Sequence, residues 1–198
     1  MIIIHAVQKL LNTGKLKPAL FVSQPSEGQE LHSWYAKLLS TGFPGKLIIM
    51  YVHEPSLLTV LTKGKTINST LPEFHERLPA LMQRINFKAA FIEAEMEMIK
   101  EGYVISKTNS KSMLASMNVL TFNMEFNCRS FPRYESINLD HIEDIYTNWL
   151  TMDKQSKKYR SMMDYWKGKM WCFCEVTESR KVRKSESAGA FKSLRFKV

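Results

Sequence analysis

The sequence has few of the features that define secreted, membrane or metal-binding proteins. No apolar run among its 198 residues approaches the length of about 20 residues that is needed to cross a bilayer. The three cysteines (Cys128, Cys172 and Cys174) form neither an even set nor a C-x-x-C pair, which argues against a disulfide framework and a zinc knuckle. The apolar start, MIII, has no basic region before it and no small-residue cleavage site after it, so we expect no signal peptide. These absences predict a cytoplasmic protein with free thiols and no membrane association.

The sequence also has no recognised catalytic or metal-binding motif. Its five histidines are scattered, and none belongs to an H-E-x-x-H pattern. There is no G-x-S-x-G nucleophile elbow and no glycine-rich phosphate loop. We therefore predict no metal and no cofactor, and the sequence leaves open whether the protein is an enzyme.

Positive charge is concentrated at one end of the chain. Residues 1–153 hold 15 Lys/Arg and 15 Asp/Glu, whereas residues 154–198 hold 13 Lys/Arg and 4 Asp/Glu. The formal net charge of +9 therefore lies in the last 45 residues. This asymmetry predicts a neutral core domain over 1–150 and a basic helical extension and tail over 151–198.

Basic residues that alternate with aromatic ones are typical of segments that neutralise phosphates and stack on bases. We therefore predict that the C-terminal region binds nucleic acid or another polyanion without sequence preference, because no helix-turn-helix, RNA-recognition or zinc-finger pattern is present. The alternative is a solvated tail with no fixed partner. The residues predicted to contact nucleic acid are Lys154, Lys157, Lys158, Arg160, Lys167, Lys169, Arg180, Lys181, Arg183, Lys184, Lys192, Arg195 and Lys197.

The order of apolar patterns predicts an α+β fold, with a small mixed sheet, packed helices and a helical C-terminal half. Residues 1–7, 46–63 and 103–107 are predicted strands, and 46–63 is predicted to be a hairpin that turns at EPS. The segment ELHSWYAKLLS has apolar residues at helical spacing, which predicts an amphipathic helix. The segment SKKYRSMMDYWKGK also has helical periodicity.

The stretch KTNSKSMLASMN, residues 107–118, lies between a predicted strand and a predicted helix. Thr108, Asn109 or Ser110 can cap that helix by accepting a bond from a backbone N–H of its first turn. The same geometry supplies free N–H groups and the positive end of a helix dipole, which together can bind an anion. We predict a candidate anion site formed by Lys107, Thr108, Asn109, Ser110, Lys111, Ser112, Asn118, His53 and Glu54.

This stretch, together with MIIIHAVQKLL, WYAKLL and KLIIMYVHEPSLLTVL, resembles an uncharacterised family of small bacterial proteins, a domain of unknown function. In that family the corresponding block is a T-N-x-R/K-S motif that runs into S-M-N-D. This chain has Lys111 where arginine is usual, and it has Val119 where an acidic residue is expected. The resemblance implies a bacterial protein, a fold and a candidate surface, and it implies no reaction.

Three functions remain open on this reading. The first is non-specific nucleic-acid binding through the basic region. The second is an enzyme or small-ligand binder that uses the Thr108–Asn118 junction. The third is a protein-partner module of a toxin–antitoxin or defence system.

Overall fold

The fold is built on a five-stranded mixed sheet. The structure is a computed structural model that describes residues 1–20, 28–147, 150–152 and 159–170. The strand order is β4-β3-β2-β1-β5, with β1 parallel to both β2 and β5 and with β3 antiparallel to β2 and β4. The strands are β1 (Ile2–Ala6), β2 (Ser33–Ser40), β3 (Leu47–His53), β4 (Thr59–Lys63) and β5 (Tyr103–Lys107).

Helices cover both faces of this sheet. They are α1 (Gln8–Gly14), α2 (Ile67–Arg84), α3 (Ala89–Lys100), α4 (Lys111–Arg129), α5 (Leu139–Thr147) and the short α6 (Met162–Trp166). One core cluster joins the sheet to α1, α2, α3 and α6, and a second joins its other face to α4 and α5. The α+β fold class predicted from the sequence is confirmed. Within the described ranges, no helix is long and apolar enough to cross a membrane.

The hairpin and the strand at 103–107 form as predicted, but the helix predicted at ELHSWYAKLLS is wrong. That segment forms β2, which pairs with β1 on one side and β3 on the other. Trp34 and Ala36 belong to one core cluster, and Tyr35 and Leu39 belong to the other. A strand that is buried on both faces has apolar residues at successive positions, and such a run also satisfies helical spacing.

The described end of the chain is less helical than its periodicity predicts. A two-stranded sheet pairs β6 (Leu150–Met152) with β7 (Tyr159–Ser161), and a single 3-10 turn over 167–169 follows α6. Ser161 caps α6 in a reciprocal arrangement with Asp164. Met162, Trp166 and Met170 join the larger core cluster. The division of the chain at residue 150 stays a prediction.

Candidate functional site

A cluster of polar side chains lies where β1, β2 and β5 meet the loop before α4. In the strand register, His5 stands opposite Tyr35 on one side and Ser106 on the other. The His5 and Tyr35 rings stack with their centroids 4.7 Å apart. The His5 Nδ1 atom lies 3.2 Å from the carbonyl oxygen of Lys107. Burial lowers the pKa of His5, so the imidazole is neutral at neutral pH.

Tyr35 connects this sheet face to the loop before α4. Its hydroxyl donates a hydrogen bond to Oδ1 of the exposed Asn109. Burial, together with the nearby Glu54 carboxylate, raises the pKa of Tyr35 to about 12. The phenol therefore remains protonated at neutral pH and acts as a hydrogen-bond donor.

Glu54 is held beside Tyr35 by the start of β2. Its backbone N–H donates to the carbonyl oxygen of Ser33 at 2.9 Å, and the Ser33 hydroxyl donates to Oε2 of Glu54 at 3.3 Å. Glu54 is half-buried, and its carboxylate lies close enough to Tyr35 to raise the pKa of the phenol. Asn109 and Glu54, both predicted site residues, are thus brought together around Tyr35.

The helix cap predicted for this loop is confirmed at Ser110. The Ser110 side chain accepts a hydrogen bond from the backbone N–H of Met113 at 3.2 Å. Lys107, Asn109 and Lys111 are exposed. Neither lysine has an ion pair within the part of the chain that the structure describes.

One predicted residue of this stretch, Asn118, lies away from the loop before α4. Asn118 accepts a hydrogen bond from the Lys37 ammonium at 2.7 Å and lies about 10 Å along α4 from Lys111, at 1.5 Å per residue. Burial lowers the pKa of Lys37. Thr108 is half-buried in the loop, and Ser112 is exposed in the first turn of α4.

His53 points to the opposite face of the sheet. Its ring lies near those of Trp34 and Trp166, at centroid distances of 5.3 and 5.6 Å. Its two nitrogens bond to the Ser56 hydroxyl at 2.7 Å and to the Glu30 carbonyl oxygen at 2.8 Å. Burial lowers the pKa of His53 to about 3. The predicted convergence therefore includes Glu54 but not its neighbour His53, because successive strand residues face opposite sides.

The predicted nucleic-acid residues lie mostly outside the described residues. The side chains of Lys167 and Lys169 are described, and both are paired with carboxylates. Lys167 Nζ is 2.8 Å from Asp164, and Lys169 Nζ is 2.6 Å from Glu30.

Sequence reasoning missed His5, Tyr35 and Ser33 as members of the cluster. The assignment of residues 30–40 to a helix hid the pairing of His5 with Tyr35. The sequence did contain a pattern that fits two buried parallel strands, namely the β-branched residues of MIIIHAV and the apolar and aromatic residues of SWYAKLL.

A second group of polar side chains, which the sequence analysis did not predict, bonds to the backbone of β4 at the edge of the sheet. The buried Glu143 carboxylate accepts the backbone N–H of Leu61 at 2.8 Å and bonds to Arg77 and Arg84 at 2.9 and 2.6 Å. Glu73 accepts the backbone N–H of Lys63 at 3.0 Å. A cavity of about 220 Å³ lies beside them and includes Asp140 in its lining. Carboxylates that occupy the free N–H groups of an edge strand prevent that strand from pairing with another chain, so we assign this group a structural role.

Comparison with known protein families places the chain in one of them. A family model for a domain of unknown function, DUF6933, matches residues 3–164. The chain belongs to the DUF6933 family. The match confirms the expectation of an uncharacterised family, and it spans every residue of the cluster around Tyr35 in this DUF6933 protein. No curated protein matches the chain. Across the described ranges, no three His, Cys, Asp or Glu side chains form a group that could hold a metal ion.

Proposed function

We propose that this DUF6933 domain binds a small anionic ligand at the junction between β5 and α4. The observation that supports this most directly is the hydrogen bond from the Tyr35 hydroxyl to Asn109 Oδ1. The bond occupies the amide oxygen of Asn109 and leaves its NH₂ group to face outward as a donor. A site whose outward groups are donors fits a ligand that is an acceptor.

The charges around the junction favour the same kind of ligand. The exposed Lys107 and Lys111 flank the loop, while Glu54 is the half-buried carboxylate in contact with the cluster. The first turn of the 19-residue helix α4 adds backbone N–H groups and the positive end of its dipole.

The buried side chains of the cluster act as positioning residues in this proposal. Tyr35 fixes the orientation of the Asn109 amide, and the stacked ring of His5 supports Tyr35 from behind. Because the pKa of Tyr35 is raised to about 12, this orientation persists at neutral pH. The phenol would be ionised only at strongly alkaline pH, where the donor to Asn109 is lost.

The test is a calorimetric titration of the full chain with inorganic phosphate, a nucleoside monophosphate and citrate as three separate anionic probes. We expect at least one of them to bind. We expect Lys111→Ala and Asn109→Ala to weaken its affinity by about tenfold each, as the loss of a charge-assisted hydrogen bond does. Tyr35→Phe should weaken the affinity several-fold without a matching loss of helix content.

The matched control is Lys65→Ala, which removes an exposed lysine after β4, at the opposite edge of the sheet from β5. It should leave the affinity unchanged. The proposal is refuted if none of the three probes binds at millimolar concentration. It is also refuted if Lys65→Ala and Lys111→Ala weaken binding equally, because equal losses would indicate attraction by net charge alone.

A further inference from the structure

The outer face of α4 exposes large apolar side chains. Phe122 and Phe126 are 75% and 72% exposed, and Val119 is 54% exposed. The opposite face of the same helix is buried against the sheet through Met113, Met117, Leu120, Met124 and Cys128. The helix is therefore apolar on two sides, and only one side has a partner in the described structure. A helix with this pattern normally packs against two neighbours.

The spacing of the exposed residues is that of a helix–helix interface. Ala115, Val119, Phe122 and Phe126 follow one another at intervals of four, three and four residues. These are the intervals of the core positions in a heptad repeat, which place the four side chains on one stripe along the helix. We name Ala115, Val119, Phe122 and Phe126 the outer stripe.

We propose that the outer stripe is the interface of a homodimer, in which α4 packs antiparallel against α4 of a second copy of this chain. A two-fold axis level with the midpoint between Leu120 and Thr121 places Ala115 opposite Phe126 of the second copy. The same axis places Val119 opposite Phe122 of the second copy. Each large ring then faces a smaller side chain, as close packing between two helices requires.

The polar residues beside the outer stripe are compatible with this arrangement. In the same register Glu125 lies on the same flank as Asn118 of the second copy, offset from its level by two residues or about 3 Å along the axis, and Asn123 lies beside Ser116 with the same offset. No two like charges oppose each other at these positions, so the arrangement has no electrostatic penalty there. These positions contain no cluster of like charges that would attract a strongly basic or acidic partner segment.

The area of the outer stripe suits a reversible dimer. An aromatic side chain offers about 150–250 Å², so the exposed parts of the two phenylalanines and Val119 amount to roughly 350 Å² per copy. This is the size of apolar patch that marks interaction sites on soluble proteins. Two copies would bury roughly 700 Å² of apolar surface, and the polar residues around it would bring the total near the 1,200 Å² at which specific interfaces begin. We expect dissociation in the roughly micromolar range.

The first test is sedimentation velocity of the full chain from about 1 to 200 µM, where mass action shifts a reversible dimer. We expect the wild-type chain to pass from monomer to dimer. Phe122→Glu should remain monomeric over the same range, because it buries a carboxylate against Val119 of the second copy. Leu20→Glu is the control: Leu20 is 93% exposed and lies outside α4, so this variant should still dimerise. Circular dichroism establishes that each variant is folded.

The second test measures the antiparallel register. Ala115→Cys and Phe126→Cys are made separately in a chain that also has Cys172→Ser and Cys174→Ser, and they are treated with a short thiol crosslinker. We expect a crosslinked dimer when the two variants are mixed, and little when either is treated alone. A monomeric wild-type chain at every concentration would overturn the proposal, and so would a dimer that survives Phe122→Glu. Crosslinking of Ala115→Cys to itself would overturn the antiparallel arrangement.

Discussion

The buried histidine of β3 should make this protein sensitive to acid. His53 is fully buried beside Trp34 and Trp166, with both ring nitrogens bonded to oxygen atoms. Burial lowers its pKa from 6.5 to about 3. Because the folded-state pKa lies below the unfolded one, the stabilisation is complete above about pH 6.5 and is lost as the pH falls toward 3.

The expected magnitude follows from these two values. Between pH 7 and pH 5 an unfolded histidine takes up most of one proton, whereas folded His53 takes up almost none. The free energy of unfolding should therefore fall by about 2 kcal/mol over this interval on account of His53 alone. Burial also lowers the pKa of His5 and His75, which adds smaller losses of the same sign.

The assay is urea denaturation, followed by tryptophan fluorescence, at pH 7 and at pH 5. His53→Gln removes the titrating group and keeps an amide that can donate to the Glu30 carbonyl, so its stability should depend on pH less than that of the wild type. The difference between the two pH dependences should be about 2 kcal/mol. His141→Gln, at an exposed histidine, is the matched control and should keep the wild-type dependence. Equal pH dependence in the wild type and His53→Gln would refute the reasoning.

Three further predictions concern other parts of the chain. Glu143→Gln should lower the free energy of unfolding by about 3 kcal/mol in a urea titration, because Arg77 and Arg84 lose a buried charged partner. The control is Asp144→Asn, which changes a half-exposed carboxylate and should lower the same free energy by under about 1 kcal/mol. Burial raises the pKa of Cys128 to about 11, so in a chain with Cys172→Ser and Cys174→Ser we expect no reaction with a thiol reagent at pH 8 until denaturant is added. If the basic region over 154–198 binds duplex DNA, anisotropy titrations should show log affinity falling by about 0.9 per phosphate contacted for each tenfold rise in salt. Deletion of 178–198 should weaken binding to all DNA sequences alike. Negligible binding at low salt by both the full and the shortened chain would contradict this prediction.

Much of the local structure could be predicted from short stretches of the sequence. The β3–β4 hairpin, the strand at 103–107 and the cap of α4 at Ser110 each depend on residues that are close together in the chain. Such features depend on local residue preferences and on periodicity, so they can be predicted without the tertiary structure.

The candidate site could be predicted only in part, because its central residue was assigned to the wrong element. Tyr35 belongs to β2, and its contacts with His5 and Asn109 join residues that are 30 and 74 positions away. The sequence pointed to Asn109 and Glu54 but also to His53, which the alternation of a strand sends to the other face of the sheet.

Composition and charge alone showed that the net charge of +9 lies in residues 154–198, and apolar patterning alone indicated the α+β class. Tertiary structure decided the parallel pairing of β1 with β2 and β5, and with it the meeting of His5, Tyr35 and Asn109. It also decided which apolar side chains of α4 are buried and which, such as Phe122, stay exposed. The physical reason is that parallel pairing joins strands distant in sequence, and burial depends on which neighbours those pairings bring to each face.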